Sequence, residues 1–516
     1  MDLQLTTIEA EPSLQNFTAS FEKRKPQLVW TRLIADLETP VSAMLKLADG
    51  RPMSFLLESV EGGAVRGRYS IIGLDPDVLW RCHGNSAEIN RNALTDPDLF
   101  EAEPLDTLTS LRALLDESRI DIPEGLPPMV AGIFGYMGYD TVRLVEHLPD
   151  VPPDVLGVPD GLLLRPTVMV IFDAVKDEMT VVAPVHEGGS KARARTAYDE
   201  ACKRLASVVE TLDGPVPHGA AMSAGDNKSL HPKSNTSPAE YKAMVARAKD
   251  YIAAGDIFQV VLSQRFEAPF KLPPLALYRA LRRLNPSPFL FHLDFGAFSL
   301  VGSSPEILVR VRDNEVAIRP IAGTAVRGST AAEDQNHADA LLADPKERAE
   351  HLMLLDLGRN DVGRVAEIGS VTVTERFIVE RYSHVMHIAS NVIGKLAKPF
   401  DAIDALMAGF PAGTVSGAPK VRAMQIIDEL EKEKRGPYAG CVGYFSADGE
   451  MDTCIALRTA LVKDGRIYVQ AGAGLVADSV PAREQAECIN KAKALFKAAE
   501  EAVRFASVSK RGNRQG

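Results

Sequence analysis

The sequence is short of cysteine and has none in pairs. Cys82, Cys202, Cys441, Cys454 and Cys488 are scattered, odd in number and form no CxxC motif. That spacing excludes a disulfide framework or a thiolate zinc site and predicts reduced thiols in a cytoplasmic protein. No cysteine sits in a nucleophile-elbow context, and no Ser-His-Asp or Cys-His triad is visible, so glutamine hydrolysis by this chain is not expected. Basic charge is also short: 58 Lys and Arg stand against 69 Asp and Glu, a net charge of −11. Phosphate binding needs a basic face, so no nucleic-acid partner is expected. No apolar run approaches a membrane span, and the N-terminus, MDLQLTTIEAEPSL, lacks the basic and apolar regions of a signal peptide. No membrane partner is therefore expected either. A Walker A pattern and the spacing G-x-G-x-x-G are both missing, and there is no internal repeat.

What remains is an ordinary globular balance, 46% hydrophobic and 25% charged, over 516 residues. That length exceeds one hydrophobic core, so two or more domains are expected. From residue 212 to 236 the sequence is rich in Gly, Pro, Ser and Asn and poor in large apolar side chains. It reads as a linker or surface loop between an N-terminal part, 1–211, and a C-terminal part, 237–516. In the first part, 53–60 and 68–74 read as strands joined by a Gly-Gly turn. The segment 167–185 reads as a hairpin and 191–212 as an amphipathic helix. In the second, 237–256 reads as a helix with Ser237 as N-cap, Glu240 at the capping-box position and Gly255 near its end. Strands are expected at 257–268, 289–295, 298–311, 315–326 and 370–380, and a last helix at 482–506. The class is α+β: large antiparallel sheets flanked by helices, with a smaller N-terminal domain.

Four acids form two helical i, i+3 pairs, Glu347 with Glu350 and Glu484 with Glu487. Two such faces meeting would gather carboxylates around a hard cation such as Mg2+. On spacing alone, a solvated helix face is the commoner explanation. GTVSG before the helix at 416–431 offers free backbone N–H groups to an anion, although an ordinary loop-to-helix entry explains the pattern equally simply. QAGAGLV (470–476) is a second Gly-rich stretch, explicable by close strand packing. His384 and His387, in YSHVMHIAS, are too weakly spaced to form a metal pair. Arg458 lies in an apolar strand pattern and needs an anionic partner, either a substrate carboxylate or a structural acid.

Longer blocks carry a resemblance. PIAGTAVRG (320–328), EHLMLLDLGRNDVGRV (350–365), HVMHIASNVIGKL (384–396), GTVSGAPKVRAMQIIDELE (413–431), GPYAGCVGYFSADGEMDTCIALRTAL (436–461) and VQAGAGLVADSVPAREQAECINKA (469–492) follow one another in order. Together they resemble the chorismate-utilising enzymes, a family that includes anthranilate, aminodeoxychorismate, isochorismate and salicylate synthases. The resemblance implies Mg2+ as cofactor, with Glu350 and Glu487 as its ligands and Glu347 and Glu484 lining the same site. It implies that Gly323, Thr324, Tyr438, Arg458, Gly472, Ala473 and Gly474 hold chorismate. It makes Glu306 the acid that protonates the departing 4-hydroxyl, places His387 in the pyruvate-elimination half, and makes Thr414 a pocket residue.

Two departures point within the family. Gln259 stands where water-adding members have a Lys base, and Ala322 where aminodeoxychorismate synthases have a nucleophilic Lys. Both favour ammonia addition at ring carbon 2 and an anthranilate product. LLES (56–59) and NPSPFLF (285–291) resemble the tryptophan-sensing elements of anthranilate synthases. They imply feedback inhibition through a pocket of Glu58, Ser59, Pro288, Phe289 and Leu290, with Cys454, on the strand expected to carry Arg458, as a link to the active site. A separate glutamine amidotransferase subunit is the implied ammonia source, in a heterotetramer of two large and two small subunits.

Overall fold

The computed structural model describes residues 9–48, 51–61, 65–217, 230–382 and 385–512. His384 and residues 218–229 of the 212–236 segment lie outside them.

Local signals act where the chain chemistry demands. The helix Pro238–Ala254 opens with a complete capping box: Ser237 accepts from the Glu240 backbone, and Glu240 accepts from the Ser237 backbone at 2.7 Å. It closes at Gly255, whose φ of 85° is the left-handed cap that glycine adopts without strain. The 167–185 hairpin forms between strands Gly161–Asp173 and Glu178–Val185. Segment 298–311 becomes two strands, Phe298–Ser304 and Ile307–Arg312, because Pro305 has no N–H to continue a ladder. That interruption frees Glu306 from strand alternation. Pro320 separates Glu315–Ile318 from Ile321–Val326 in the same way.

Every pairing between these strands is antiparallel, and the N-terminal strands are set into the middle of the C-terminal ones. Gln259–Pro269 pairs with Arg466–Leu475, then Thr459–Lys463, Phe298–Ser304 and Phe289–Asp294 follow. Next come the N-terminal strands Ser54–Glu61, Val65–His83, Gly161–Asp173 and Gly132–Met137. The ladder then returns through Cys441–Ser446 and Met451–Ile455 to Ile307–Arg312. The sequence parts 1–211 and 237–516 thus share one sheet network. They also share their apolar clusters: Trp80 and Tyr139 belong with Ile426 and Leu475, and Phe17 and Leu205 with Leu281 and Phe496.

The seam between Ser54–Glu61 and Phe289–Asp294 is fixed by charge as well. Glu58, buried, accepts from Arg282 Nε at 2.6 Å and Nη2 at 2.9 Å, and from the Tyr278 hydroxyl. Both donors lie on the helix Pro274–Leu284. Removing one partner of a buried pair strands the other charge. Arg282→Leu is expected to cost about 3 kcal/mol in urea unfolding, and Arg282→Leu with Glu58→Leu to recover most of it. A single-variant loss near zero would show that the seam does not depend on this pair.

Candidate active site

Helix Pro345–Gly363 and helix Pro481–Gly512 bring the two acid pairs toward each other at their N-terminal turns. The Glu350 carboxyl is pushed up from its ordinary range by burial, then by Glu347 and, across the gap, by Glu487. Burial and the neighbouring Glu487 also push Glu484 up, and burial and Asp344 push up Glu347. Lys346, bound to Asp478 at 2.9 Å, and Lys491, bound to Glu487 at 2.8 Å, offset only part of this negative charge. Carboxylates that raise one another in this way fit a divalent cation. Among the described residues no three His, Cys, Asp or Glu side chains converge as a closed metal cage.

From Glu487 a ring of contacts encloses the pocket. Lys491 donates to the Gly472 carbonyl at 2.9 Å. The Tyr438 hydroxyl lies against Gly472. A Cβ at Gly472 would fall 2.9 Å from the Leu262 carbonyl and 3.0 Å from that hydroxyl, so only glycine allows the approach. Gly474 shares that face, against Gln259, while Ala473 points into the core. QAGAGLV is therefore mostly the end of strand Arg466–Leu475, not a loop after it.

On the opposite wall, Thr414 lies 3.2 Å from each Glu306 carboxylate oxygen. Glu306 is 6% exposed. Burial raises its carboxyl to about 8, and Thr414, the Ile321 backbone and Arg458 only partly oppose the shift. Glu306 is thus a carboxylic acid that holds its proton at neutral pH.

Arg458 corrects one expectation. It lies in the turn between strands Met451–Ile455 and Thr459–Lys463, with φ 47°, and not within a strand. Burial lowers its pKa, while Tyr382 and Glu306 favour its charge. Cys454 lies on the strand before that turn.

His387 faces Tyr382, ring centroids 5.5 Å apart. Its Nδ1 is 2.8 Å from the Gly323 carbonyl and 3.1 Å from the Thr324 hydroxyl. A carbonyl can only accept, so Nδ1 carries the hydrogen and Nε2 is the bare nitrogen. Burial, with Arg458 adding to it, lowers the His387 pKa and keeps the ring neutral. Gly323, at φ 71°, closes the ring: a Cβ there would fall 2.9 Å from Glu347 Oε2.

The pocket residues expected from sequence therefore share one site. Sequence reasoning missed Lys491, Tyr382 and Arg435. Lys491, four residues after Glu487 on a helix, was open to the same spacing argument as the acids. A cleft of about 530 Å³ beside the final helix, lined by Asn285, Arg458, Arg483, Glu487 and Lys491, opens onto this site.

The five residues expected to sense tryptophan lie elsewhere and are divided. Ser59 is directly opposite Phe289 and Glu58 opposite Leu290, and alternation sends these pairs to opposite faces of the sheet. Leu290 is buried in a core cluster, and both Glu58 oxygens are engaged by Arg282 and Tyr278. The Ser59 hydroxyl donates to the Tyr69 carbonyl at 3.2 Å. Pro288 immediately precedes the strand Phe289–Asp294. Ser303 joins this region to the active site: its hydroxyl donates to the Asn285 carbonyl at 2.5 Å and its backbone N–H to the Arg458 carbonyl at 3.2 Å.

The chain is 57% identical over 501 residues to anthranilate synthase component 1 of Cereibacter sphaeroides, covering 96% of this chain and 98% of that one. It is 49% identical to the same component from Pseudomonas putida, covering 90% and 93%. The crystal structure of anthranilate synthase component I from Streptococcus pneumoniae superposes with a TM-score of 0.73 at 39% identity, over 83% of this chain and 92% of that one. The menaquinone-specific isochorismate synthase of Escherichia coli, at 20% identity and a TM-score of 0.68 over 94% and 99%, shares the fold. The family model for chorismate binding enzymes matches residues 65–497, and the chain belongs to that family.

Proposed function

We infer that this chain is the chorismate-converting component of an anthranilate synthase, a lyase that makes anthranilate and pyruvate from chorismate and ammonia. The observation that carries the reading is the Glu306 carboxyl, buried, raised to about 8 by that burial and bonded by the Thr414 hydroxyl. Loss of a ring hydroxyl requires an acid that still has its proton at neutral pH.

Arg458, the Tyr438 hydroxyl, Thr324 and the backbone of Gly323 and of Gly472, Ala473 and Gly474 bind and orient chorismate. Glu350 and Glu487 would hold Mg2+, with Glu347 and Glu484 beside them. When bound, the cation anchors the ring carboxylate and supplies Lewis-acid stabilisation. In the first step the ammonia nitrogen bonds to ring carbon 2, the double bonds shift, and the bond from carbon 4 to oxygen breaks. Glu306 gives its proton to the leaving hydroxyl, which departs as water. In the second, carbon 2 loses its proton, the enolpyruvyl oxygen leaves carbon 3, and the ring becomes aromatic. The enolpyruvate takes up a proton to become pyruvate. We assign His387 to this half: a neutral imidazole with a bare Nε2 can accept a proton.

Gln259 supports ammonia over water. It cannot take a proton at neutral pH, and ammonia, already nucleophilic, needs no base. Its buried Oε1 has no protein partner among the described residues, so it can accept an N–H from ammonia. Ala322 offers no nucleophile. Burial pushes all five thiols up, Cys488 to about 11 and Cys441 to about 12, so none is a ready thiolate for glutamine hydrolysis. A separate glutamine amidotransferase subunit therefore supplies ammonia, in an assembly with two copies of each chain.

Purified chain with chorismate, Mg2+ and ammonium is expected to release fluorescent anthranilate, and to use glutamine only after the amidotransferase subunit is added. Glu350→Gln and Glu487→Gln are expected to lower the rate at least 100-fold without loss of folding, because Mg2+ needs charged oxygen ligands. An unchanged rate in either variant, or in wild type under excess EDTA, overturns the metal assignment.

Residues 1–211 contribute regulation in this reading. We place the tryptophan pocket where Ser59 and Phe289 meet, bordered by Pro288, with Glu58 and Leu290 fixing the strands from the other face. The Ser303 bridge to Arg458 gives the pocket a physical link to chorismate, alongside Cys454. Ser59→Arg is expected to leave chorismate turnover within about twofold and raise the tryptophan needed for half inhibition at least tenfold. Unaltered inhibition would move the pocket elsewhere.

A further inference from the structure

EKEKRG (431–436) reads in sequence as a solvated charge run, yet Glu431 and Arg435 are buried, Arg435 only 2% exposed. Every nitrogen of the guanidinium has a partner. Nε donates to Glu431 Oε2 at 3.0 Å. Nη2 donates to Glu431 Oε1 at 2.6 Å and to the Val261 carbonyl at 2.7 Å. Nη1 donates to the Val415 carbonyl at 2.7 Å. The planar ion also lies over Tyr139, 4.7 Å from the ring centroid, and over Tyr438 at 5.5 Å. Glu431 Oε1 in turn accepts from the Ser263 backbone at 2.7 Å and its hydroxyl at 2.9 Å. Ser263 stands directly opposite Gly472. One side chain thus joins the Thr414 turn, the Tyr438 ring and, through Glu431, the strand opposite the glycines.

We propose that Arg435 is a positioning residue for proton delivery, holding through the Val415 carbonyl the short turn Gly413–Val415 that sets the Thr414 hydroxyl on Glu306. It does not touch the reacting atoms. The geometry favours Arg over Lys, because only a planar fork reaches Val415, Val261 and Glu431 at once. Nothing else bonded to the Val415 carbonyl appears among the described contacts, so loss of this bond releases the turn one residue from Thr414.

The proposal rests on the reading of Glu306 as the acid and can fail separately from it. Thr414 donates to the carboxylate and so holds the Glu306 pKa below where burial alone would set it. The charged and titratable groups that also face Glu306 are Arg458 and Tyr382, with Asp361, paired to Lys420, on the wall of the cavity behind it. Removing the Thr414 bond raises the Glu306 pKa. An acid catalyst is active below its pKa and inactive above it, so the alkaline limb of the rate profile moves to higher pH.

The experiment is log kcat against pH, at saturating chorismate and Mg2+ and constant free ammonia, for wild type, Thr414→Val, Arg435→Lys and the double variant. Expected are upward displacements of the alkaline limb by roughly one pH unit in each single variant, and no further displacement in the double. If Thr414→Val moves the limb and Arg435→Lys does not, Arg435 only supports the fold and the acid assignment stands. If the two displacements add, Arg435 acts by another route and the proposal fails. If Thr414→Val leaves the limb in place, the reading of Glu306 fails and the proposal with it. Should Arg435→Lys not fold, Arg435→Met with Glu431→Met removes the buried pair together, a replacement cores often accept. It is measured against the same criteria.

Discussion

The pairing of strand Gln259–Pro269 with strand Arg466–Leu475 is the constraint on which the site depends. Its register is unbroken from Val260 opposite Leu475 to Pro269 opposite Arg466. Side chains alternate along a strand, so a slip of one residue would turn Gly472 and Gly474 into the core and Ala473 toward the pocket. Ala473 would bring a methyl to the face where a Cβ at Gly472 already meets the Leu262 carbonyl and the Tyr438 hydroxyl. The register is pinned from both sides. Ser263, in the middle of one strand, is bonded to Glu431 and accepts from Gln470 Nε2 at 2.8 Å. Lys491, from the final helix, holds the Gly472 carbonyl of the other. The glycine wall of the pocket is therefore a property of the sheet, while turns supply Glu306, Thr414, Tyr438 and Arg458.

Burial does two different jobs around that sheet. Glu306 is buried with a single hydroxyl and a distant cation, so the cheapest state is the protonated one, which suits a proton donor. Glu431 is equally buried but receives a guanidinium fork and two bonds from Ser263, a fully partnered charge that serves as an anchor. The acids at the helix ends are a third case. They crowd one another at the cleft with only partial compensation from lysines, an arrangement that becomes favourable when a cation arrives. Three carboxylate environments thus differ by their partners: a carboxyl raised by burial, a fully paired strut and a group of crowded acids.

Sequence patterns were legible wherever the cause was local. The capping box at Ser237 and Glu240, the 167–185 hairpin and the i, i+3 acids each depend on residues a few positions apart. Pattern reading lost accuracy where a single residue interrupts an element. Pro305 splits one expected strand and leaves Glu306 at the break, and Arg458 leaves its apolar strand for a turn at positive φ. Glu306 and His387 as site residues came from family resemblance, since no spacing distinguishes them from ordinary core residues. Arg435 was invisible for a stricter reason: two of the carbonyls it binds lie far away in sequence. Arg435 is 20 residues from Val415 and 174 from Val261, so its neighbours in the chain describe only a charged loop.

The N-terminal strands are tied through the seam to the turn of Arg458. Because Ser54–Glu61 pairs with Phe289–Asp294, and that strand with Phe298–Ser304, Ser59 and Ser304 are both opposite Phe289. The Ser304 hydroxyl donates to the Ile455 carbonyl at 2.6 Å, and Ser303 donates from its hydroxyl to the Asn285 carbonyl and from its backbone N–H to the Arg458 carbonyl. A ligand that spreads Ser59 from Phe289 therefore pulls on the two serines that fix the turn of Arg458. Allostery needs a ligand to bind two arrangements unequally. The two faces of the seam are held differently: Glu58 with Arg282 and Tyr278 anchors one face of the strand, and on the other the Ser59 hydroxyl donates to the Tyr69 carbonyl. Movement at the seam would thus be a hinge about a fixed charge, with the turn of Arg458 at its far end.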